Sequence, residues 1–319
     1  MERGTKTRRN RRLLAGLLLF AGTGAVLAAA GGWIASAPRP AFPLHHSDAL
    51  APGDPTRGRI VFTAGDCSSC HASPGQDDRL KLGGGMTLDS PLGPFHPPNI
   101  SPDPNDGIGR WTTADLANAL LTGTSPEGGH YYPTFPYASY AHMTVDDIRD
   151  LMAYLRTLPP VSGRTPPHEL PFPFTIRRAI GLWKLAFLDR TPIRNDPGHD
   201  PAWNRGHYLV EAVSHCAECH STRNLFQAIE PSTRFAGGPD PSSVGYTPNI
   251  TPAAIGDWSI QQISETLRTG VTPDLRRVGS SMASVVTNTA SLPQGDRNAI
   301  AVYVKSLPPR PTPNPAASQ

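Results

Sequence analysis

Apolar residues recur at helical spacing in several segments of the chain, and the last such segment of each half shows the pattern most clearly. The apolar side chains of these two segments are Ile148, Leu151, Met152, Leu155 and Leu158 in the first half and Ile300, Val304 and Leu307 in the second. Residues at this spacing share one face of a helix, and that face is expected to pack on a core. No convincing series of alternating strand residues appears in either half. The pattern therefore predicts an all-α fold.

Two further helices are predicted in each half. A first helix is expected at residues 55–64 and again at 201–213, each running directly into a cysteine motif. A middle helix is expected to begin at Thr112 and at Ser259, because each is followed three residues later by a side chain suited to a capping box. Each half is thus predicted to contain three helices connected by long loops.

The chain repeats itself at an offset of about 149 residues. Four pairs of segments stay in register, namely CSSCH with CAECH, PNISP with PNITP, RWTTADLANALLTG with DWSIQQISETLRTG, and AYLRTLPP with VYVKSLPP. The same order with small changes in loop length indicates two copies of one domain. We predict domain 1 at residues 53–160 and domain 2 at residues 201–310, with a proline-rich linker at 161–200 and a tail at 311–319.

The predicted linker carries the stretch IRRAIGLWKLAF, in which basic and apolar side chains interleave. The simpler interpretation is a short helix that packs between the two domains. The alternative is an interfacial helix or a surface for docking a partner, because an amphipathic basic helix suits both roles.

The N-terminal region, residues 1–37, combines a basic head with the long uncharged stretch LLAGLLLFAGTGAVLAAAGGWIASA. About 20 apolar residues suffice to cross a bilayer, and a basic flank favours a cytoplasmic N-terminus. We therefore expect a transmembrane helix as an anchor, followed by a linker at residues 38–52. The protein would be a single-pass protein of the inner (cytoplasmic) membrane with its domains in the periplasm. A cleaved signal peptide is the alternative.

Composition and charge change this picture in two ways. Proline accounts for 36 of the 319 residues, about twice its ordinary share of roughly 5%, so much of the chain must be loop. The net charge of +3 resides in the basic head, and the rest of the chain is close to neutral. A nucleic-acid partner is therefore not indicated.

All four cysteines of the chain lie in two Cys-x-x-Cys-His motifs, which consist of Cys67, Cys70 and His71 in the first half and of Cys216, Cys219 and His220 in the second. In c-type haem attachment, two thiols add to the haem vinyl groups and the adjacent histidine supplies the proximal iron ligand. Two motifs in matching surroundings predict two covalently attached haem c groups. Each haem would also provide the apolar body that a short, proline-rich domain needs for its core.

Three other kinds of site use cysteine pairs. A thioredoxin-like dithiol needs no following histidine and belongs to a strand-helix-strand pattern, which this sequence lacks. A four-cysteine zinc site would have to join pairs 149 residues apart. A structural disulfide would leave both histidines without a role. Covalent haem is therefore the favoured interpretation of both motifs.

The distal iron ligands are predicted from the positions of methionines. Met282 lies about ten residues before the last predicted helix, where a loop could wrap over the open face of the second haem. The first half has Phe135 near the corresponding place. Its nearest candidate is Met143, with His142 as the rival ligand and an open site as a further alternative. Met86 and Met152 are weaker candidates.

Two further pairs of repeated residues are candidates for the haem surroundings. Asn99 and Asn249 have amide N–H donors, and Trp111 and Trp258 have indole N–H donors, that could reach the haem propionates. The alternative roles are loop turning for the asparagines and aromatic packing for the tryptophans.

The sequence resembles the membrane-anchored dihaem c-type cytochromes that are related to the cytochrome subunits of bacterial periplasmic alcohol, aldehyde, gluconate and nicotinate dehydrogenases. The resemblance covers nearly the whole chain after residue 52 and rests on CSSCHASPG, PNISPDPNDGIGRW, GTSPEGGHYYPTFPYASYAHMT, LPFPFTIRRAIGLWKL and CAECHSTRN. It implies two tandem class I cytochrome c domains. Many such subunits have three haem domains, and some have methionine at the place of Phe135.

The expected function is electron transfer without catalysis of its own. The resemblance implies a dehydrogenase catalytic subunit as electron donor and a quinone, a cytochrome or a terminal oxidase as acceptor. The alternative is a dihaem peroxidase or a thiosulfate-oxidising cytochrome, either of which needs an open or unusual first haem site.

Overall fold

The computed structural model describes residues 3–44, 50–240 and 245–313. Residues 45–49 of the predicted linker and 314–319 of the predicted tail lie outside the described residues. The α-helices are α1 (Arg3–Ala35), α2 (Pro55–Ala64), α3 (Cys67–His71), α4 (Thr113–Thr122), α5 (Tyr137–Tyr140), α6 (Val145–Leu155), α7 (Ala179–Phe187), α8 (Pro201–Tyr208), α9 (Cys216–Cys219), α10 (Pro252–Ile255), α11 (Ile260–Thr269), α12 (Ser280–Thr289) and α13 (Gln294–Ser306).

Other regular structure is short. A π-helical turn, Leu209–Val213, continues α8, and a 3₁₀ turn covers Pro231–Thr233. Two antiparallel strands of two residues each, β1 (Gly238–Pro239) and β2 (Tyr246–Thr247), form the one sheet within the described ranges. The structure is thus mostly helical, as the hydrophobic pattern predicts.

Helix α1 corrects the expectation of a membrane anchor. Within the described parts of the chain, no helix is both long and apolar enough to cross a membrane. The end of α1 is tied to α7, where the Arg178 guanidinium donates to the carbonyl of Trp33 at 2.7 Å and lies 4.5 Å from the centre of its ring. The prediction of a single-pass inner-membrane protein is therefore wrong.

The first and last helices of each half cross at a glycine. A Cβ placed on Gly58 of α2 would lie 1.9 Å from the carbonyl oxygen of Asp150 in α6. A Cβ on Gly206 of α8 would lie 1.9 Å from the carbonyl oxygen of Ala299 in α13. Only glycine allows two backbones to approach so closely. The equivalent helix pair crosses at a glycine in both halves, and this similarity is what a repeat would show.

The predicted capping boxes are confirmed. The hydroxyl of Thr112 accepts from the amide of Asp115 at 3.1 Å, and that of Ser259 accepts from the amide of Gln262 at 3.1 Å. In both cases the second side chain accepts in return from the backbone N–H of the cap residue. These local bonds fix where α4 and α11 begin.

Helix α7 connects the two halves. The ammonium of Lys184 donates to the carbonyls of Thr122 and Gly123 at the end of α4, at 2.7 Å each. The indole of Trp183 donates to the carbonyl of Phe226 at 2.8 Å. The stretch IRRAIGLWKLAF therefore contains a helix packed between the halves, in agreement with its simpler interpretation.

Candidate haem sites

Each Cys-x-x-Cys-His motif forms a short helix that follows a left-handed residue. Asp66 has φ of 55° before α3, and His215 has φ of 42° before α9. The chain turns sharply at these residues, and the turn aims the following cysteines back toward the core. Helix α2 in the first half and the π-helical turn in the second hold the start of each motif in place.

Both motifs line one continuous cavity of about 2430 Å³. A site for a single small molecule has a volume of roughly 300–1,000 Å³, so this cavity has room for more than one large group. Its wall is mainly apolar, with contributions from Val61, Leu120 and Leu155 in the first half and from Ile263 and Val304 in the second. An apolar wall of this kind suits the faces of a porphyrin.

The four cysteines are free thiols in the cavity wall. Burial raises the pKa of each of them, to about 12 for Cys67, Cys70 and Cys216 and to about 11 for Cys219. A redox dithiol instead uses a thiolate stabilised by a lowered pKa. Within the described residues no group of three histidine, cysteine or acidic side chains is placed to hold a metal ion.

The two histidines are oriented in the same way. Nδ1 of His71 lies 2.8 Å from the carbonyl oxygen of Pro98, and Nδ1 of His220 lies 2.7 Å from that of Pro248. Because a carbonyl can only accept, Nδ1 carries the proton and the lone pair of Nε2 is free for a metal. Burial lowers the pKa of both imidazoles, so both are neutral at neutral pH, as ligation requires.

Sequence reasoning missed the role of these two prolines. The repeated PNISP and PNITP segments were the available signal, but they directed attention to the asparagines. The histidine is in fact oriented by the carbonyl of the residue before each asparagine.

The two asparagines clamp these loops. The Asn99 amide donates to the carbonyls of Val161 and Gly163 at 2.6 and 3.1 Å. The Asn249 amide donates to the carbonyl of Arg310 at 2.8 Å. Asn99 is not part of the cavity wall, and its contact with a propionate stays a prediction. Asn249 also lines the cavity.

The predicted tryptophans lie at the cavity. Trp111 and Trp258 both contribute to its wall and pack against the apolar core. Their positions suit contact with a bound porphyrin, and indole donation to a propionate stays a prediction.

The first distal candidate is buried in the cavity wall. Met143 is 5% exposed and lies in the turn between α5 and α6. Its rival His142 is not a wall residue, and its Nδ1 donates instead to the carbonyl of Thr191 at 2.6 Å. Met86 also lines the cavity, whereas Met152 is buried within the core. The structure thus brings Met143, but not His142, to the site.

The second distal candidate lies on a helix rather than in the expected loop. Met282 is in the first turn of α12, is half-buried and lines the cavity. The hydrophobic pattern does not predict α12, because its sequence SSMASVVTNT has only a short apolar run. Because Met282 belongs to a helix and not to a loop, the whole of α12 must stay in place for the Met282 side chain to line the cavity.

The two motifs lie next to each other. The hydroxyl of Tyr140 donates to the carbonyl of Gly65 at 3.1 Å, and Nε2 of His215 donates to the same oxygen at 3.3 Å. Residues 150 positions apart thereby form one contact between the attachment segments.

These features together fit a covalently held haem in each motif. Two free thiols, an imidazole with its Nε2 available, an apolar wall and a methionine on the wall are the groups that a c-type haem requires. The site is therefore that of a c-type cytochrome.

Comparison with known proteins agrees with the site. A cytochrome c family profile matches residues 55–159. A diheme cytochrome c-type protein of Cereibacter sphaeroides is 48% identical over 303 residues, which cover 93% of this chain and 98% of that protein. The chain belongs to the cytochrome c family, whose members carry covalently bound haem c and transfer electrons.

Other relatives are longer proteins. The fructose dehydrogenase cytochrome subunit of Gluconobacter japonicus is 37% identical over 260 residues, which cover 79% of this chain and 52% of the relative. The cytochrome c subunit of a quinone-dependent alcohol dehydrogenase from Gluconacetobacter polyoxogenes is 36% identical over 271 residues, which cover 80% of this chain and 56% of the relative. The chain therefore spans about half of the length of these two relatives.

Proposed function

We propose that this protein is a dihaem electron carrier with two tandem cytochrome c domains, residues 53–160 and 201–310. The observation that carries the proposal is the repeated site, in which each motif has two thiols and a histidine at one cavity and orients that histidine through a proline carbonyl. A haem bound at each motif supplies a one-electron iron couple.

The chain's own residues have separate tasks at each site. The cysteine pairs bind covalently, and His71 and His220 ligate through Nε2 while the Nδ1–H bonds hold their rings in orientation. Met143 and Met282 are the proposed distal ligands. Ligation by a thioether favours a raised potential, which suits a carrier that accepts electrons.

The proposed donor is the catalytic subunit of a dehydrogenase in the periplasm. The support is the similarity to the fructose dehydrogenase cytochrome subunit and to the alcohol and gluconate dehydrogenase cytochrome c subunits. The proposed acceptor is a quinone, a cytochrome or a terminal oxidase of the respiratory chain. The protein itself would then have no substrate chemistry.

The test combines haem counting with spectroscopy. We expect two haems per chain, and in the ferric protein we expect a charge-transfer band from methionine sulfur to iron that does not respond to peroxide. Met143→Ala and Met282→Ala should each remove about half of that band. Met86→Leu is the matched control, because Met86 lines the same cavity and is assigned no ligand role.

Other outcomes would change the proposal in defined ways. A high-spin haem that reacts with peroxide would favour the dihaem peroxidase instead. A Met143→Ala protein with an unchanged band would remove Met143 as the ligand of the first haem. A single haem per chain would exclude the dihaem carrier.

A further inference from the structure

Helix α12, which carries Met282, is held by few apolar contacts. Thr289 at its C-terminal end is its one fully buried residue. Elements with little buried surface open more easily than core elements. Since Met282 lies in the first turn of α12, its position in the cavity depends on whatever else fixes this helix.

Within the second half, the Thr289 hydroxyl donates to the carbonyl of Leu267 at 2.6 Å and the Ser280 hydroxyl donates to the Asp240 carboxylate at 3.1 Å. The polar contacts of Asn288 instead reach into the other half of the chain. The Asn288 amide donates to a carboxylate oxygen of Asp66 and, at 3.2 Å, to the hydroxyl of Ser69. Its carbonyl oxygen accepts from the hydroxyl of Ser68 at 3.1 Å. These partners precede or lie within the first Cys-x-x-Cys-His motif, about 220 residues away in sequence.

The partners of Asn288 in the first half are themselves held by hydrogen bonds. The Ser69 hydroxyl donates to the Asp66 carboxylate at 2.7 Å and accepts from the Arg79 guanidinium at 3.0 Å. Ser68 is buried. Both oxygen and nitrogen of the Asn288 amide therefore meet partners that are already held by the first attachment segment.

We propose that Asn288 is a positioning residue for the second haem site, because it fastens the helix that carries Met282 to the attachment segment of the first haem. The ligation of the second haem would then depend on residues of the first half. This inference rests on the proposed function, in which Met282 is the distal ligand. It adds that the second site is complete only when the two halves are in contact.

The test measures how easily imidazole displaces the second methionine in the ferric holoprotein. We expect Asn288→Ala to weaken the methionine band of the second haem and to lower the half-saturating imidazole concentration there about tenfold, because hydrogen bonds of this kind are each worth a factor of roughly ten in an equilibrium. Thr287→Ala is the matched control on the same helix, because its hydroxyl donates only to the carbonyl of Ala283. The control should match the wild type.

A second variant tests the contact from the other side. Asp66→Gly removes the carboxylate and keeps a residue that tolerates the positive φ at this position. Although Asp66 adjoins the first motif, we expect the change in imidazole affinity at the second haem. This variant also keeps the inference testable if Asn288→Ala fails to fold.

Two negative results have different meanings. If Met282→Ala abolishes the band of the second haem while both Asn288→Ala and Asp66→Gly keep wild-type imidazole affinity, the positioning role of Asn288 is overturned and the proposed ligand stands. If Met282→Ala leaves the band intact, the ligand assignment itself is wrong.

Discussion

The two proposed haem sites match on the proximal side and differ on the proposed distal side. The histidine to proline-carbonyl distances are 2.8 and 2.7 Å, and each motif follows a residue with positive φ. On the distal side, Met143 is buried in a turn between two helices, whereas Met282 is half-buried on a helix with one buried residue. A repeat can thus preserve the attachment chemistry and still give its two sites different access.

Aromatic side chains pack at the proposed distal side of the first site. The ring of Tyr140 lies 5.7 Å from that of Phe135, and its hydroxyl is bonded to Gly65. Both rings line the cavity beside Met143. The helix that carries Met282 is instead tied to the first half by the polar contacts of Asn288.

Loss of the attachment cysteines should have the largest effect on this comparison. Changing Cys67 and Cys70 together to alanine is expected to remove the first haem, because no thiol remains for covalent attachment. The haem content measured under denaturing conditions should fall from two per chain to one. The matched variant with Cys216 and Cys219 changed should lose the other haem.

A protein that kept both covalent haems after either double substitution would show that the motifs are not the attachment sites. Equal haem loss in both variants would support equivalent proximal sides.

Filling the helix crossings should destabilise both halves to a similar extent. Gly58→Ala and Gly206→Ala each place a methyl group 1.9 Å from a carbonyl oxygen, and overpacking of this kind costs about 1–3 kcal/mol. Urea denaturation of the holoprotein measures the loss. Gly295→Ala, at a position with open space around it, shows the effect of an added methyl group without a clash. A large difference between the stability losses of the two variants would mean that the helix pairs of the two halves pack differently.

Exogenous ligands should distinguish the two distal sides. We expect imidazole to replace the methionine of the second haem at roughly tenfold lower concentration than that of the first, because Met143 is 5% exposed and Met282 is half-buried. Titration followed by the methionine band measures both steps. Met143→Ala and Met282→Ala identify which step belongs to which haem, and the reverse order would contradict the comparison.

The smallest expected effect concerns pH and the loop beside the first site. Burial, together with the charges of Arg177 and His96, lowers the pKa of His168 to about 4, and its Nδ1 accepts from the backbone N–H of His96. Between about pH 4 and the ordinary imidazole pKa near 6.5, the unfolded chain binds a proton that the folded chain does not. Stability should therefore fall as the pH is lowered through this range.

We expect a contribution of about 1 kcal/mol from His168, since partial exposure to solvent reduces the effect. His168→Asn, which can still accept the bond from His96, should reduce the loss of stability between about pH 7 and pH 4.5 by this amount in urea denaturation. An unchanged pH dependence would assign the effect to other groups.

Several elements could be predicted because they are encoded locally. The capping pairs at Thr112 and Ser259, the helix at 55–64 and the paired motifs all depend on residues a few positions apart. The prediction of a membrane anchor from a local apolar run is wrong, because no helix in the described part of the chain is both long and apolar enough to cross a membrane.

Sequence alone indicated the attachment chemistry of this protein, because two thiols and a histidine lie within five residues. The carbonyls of Pro98 and Pro248, which orient the two histidines, come from residues 27 and 28 positions away. Tertiary structure decided which side chains lie on the proposed distal side and which long-range contacts support them. It brought Met143 rather than His142 to the cavity, put Met282 on a helix, bonded the Asn99 amide to the carbonyl of Val161, and brought Asn288 to Asp66. These contacts join residues far apart in the chain, so their occurrence depends on how the two halves pack and leaves no local pattern in the sequence.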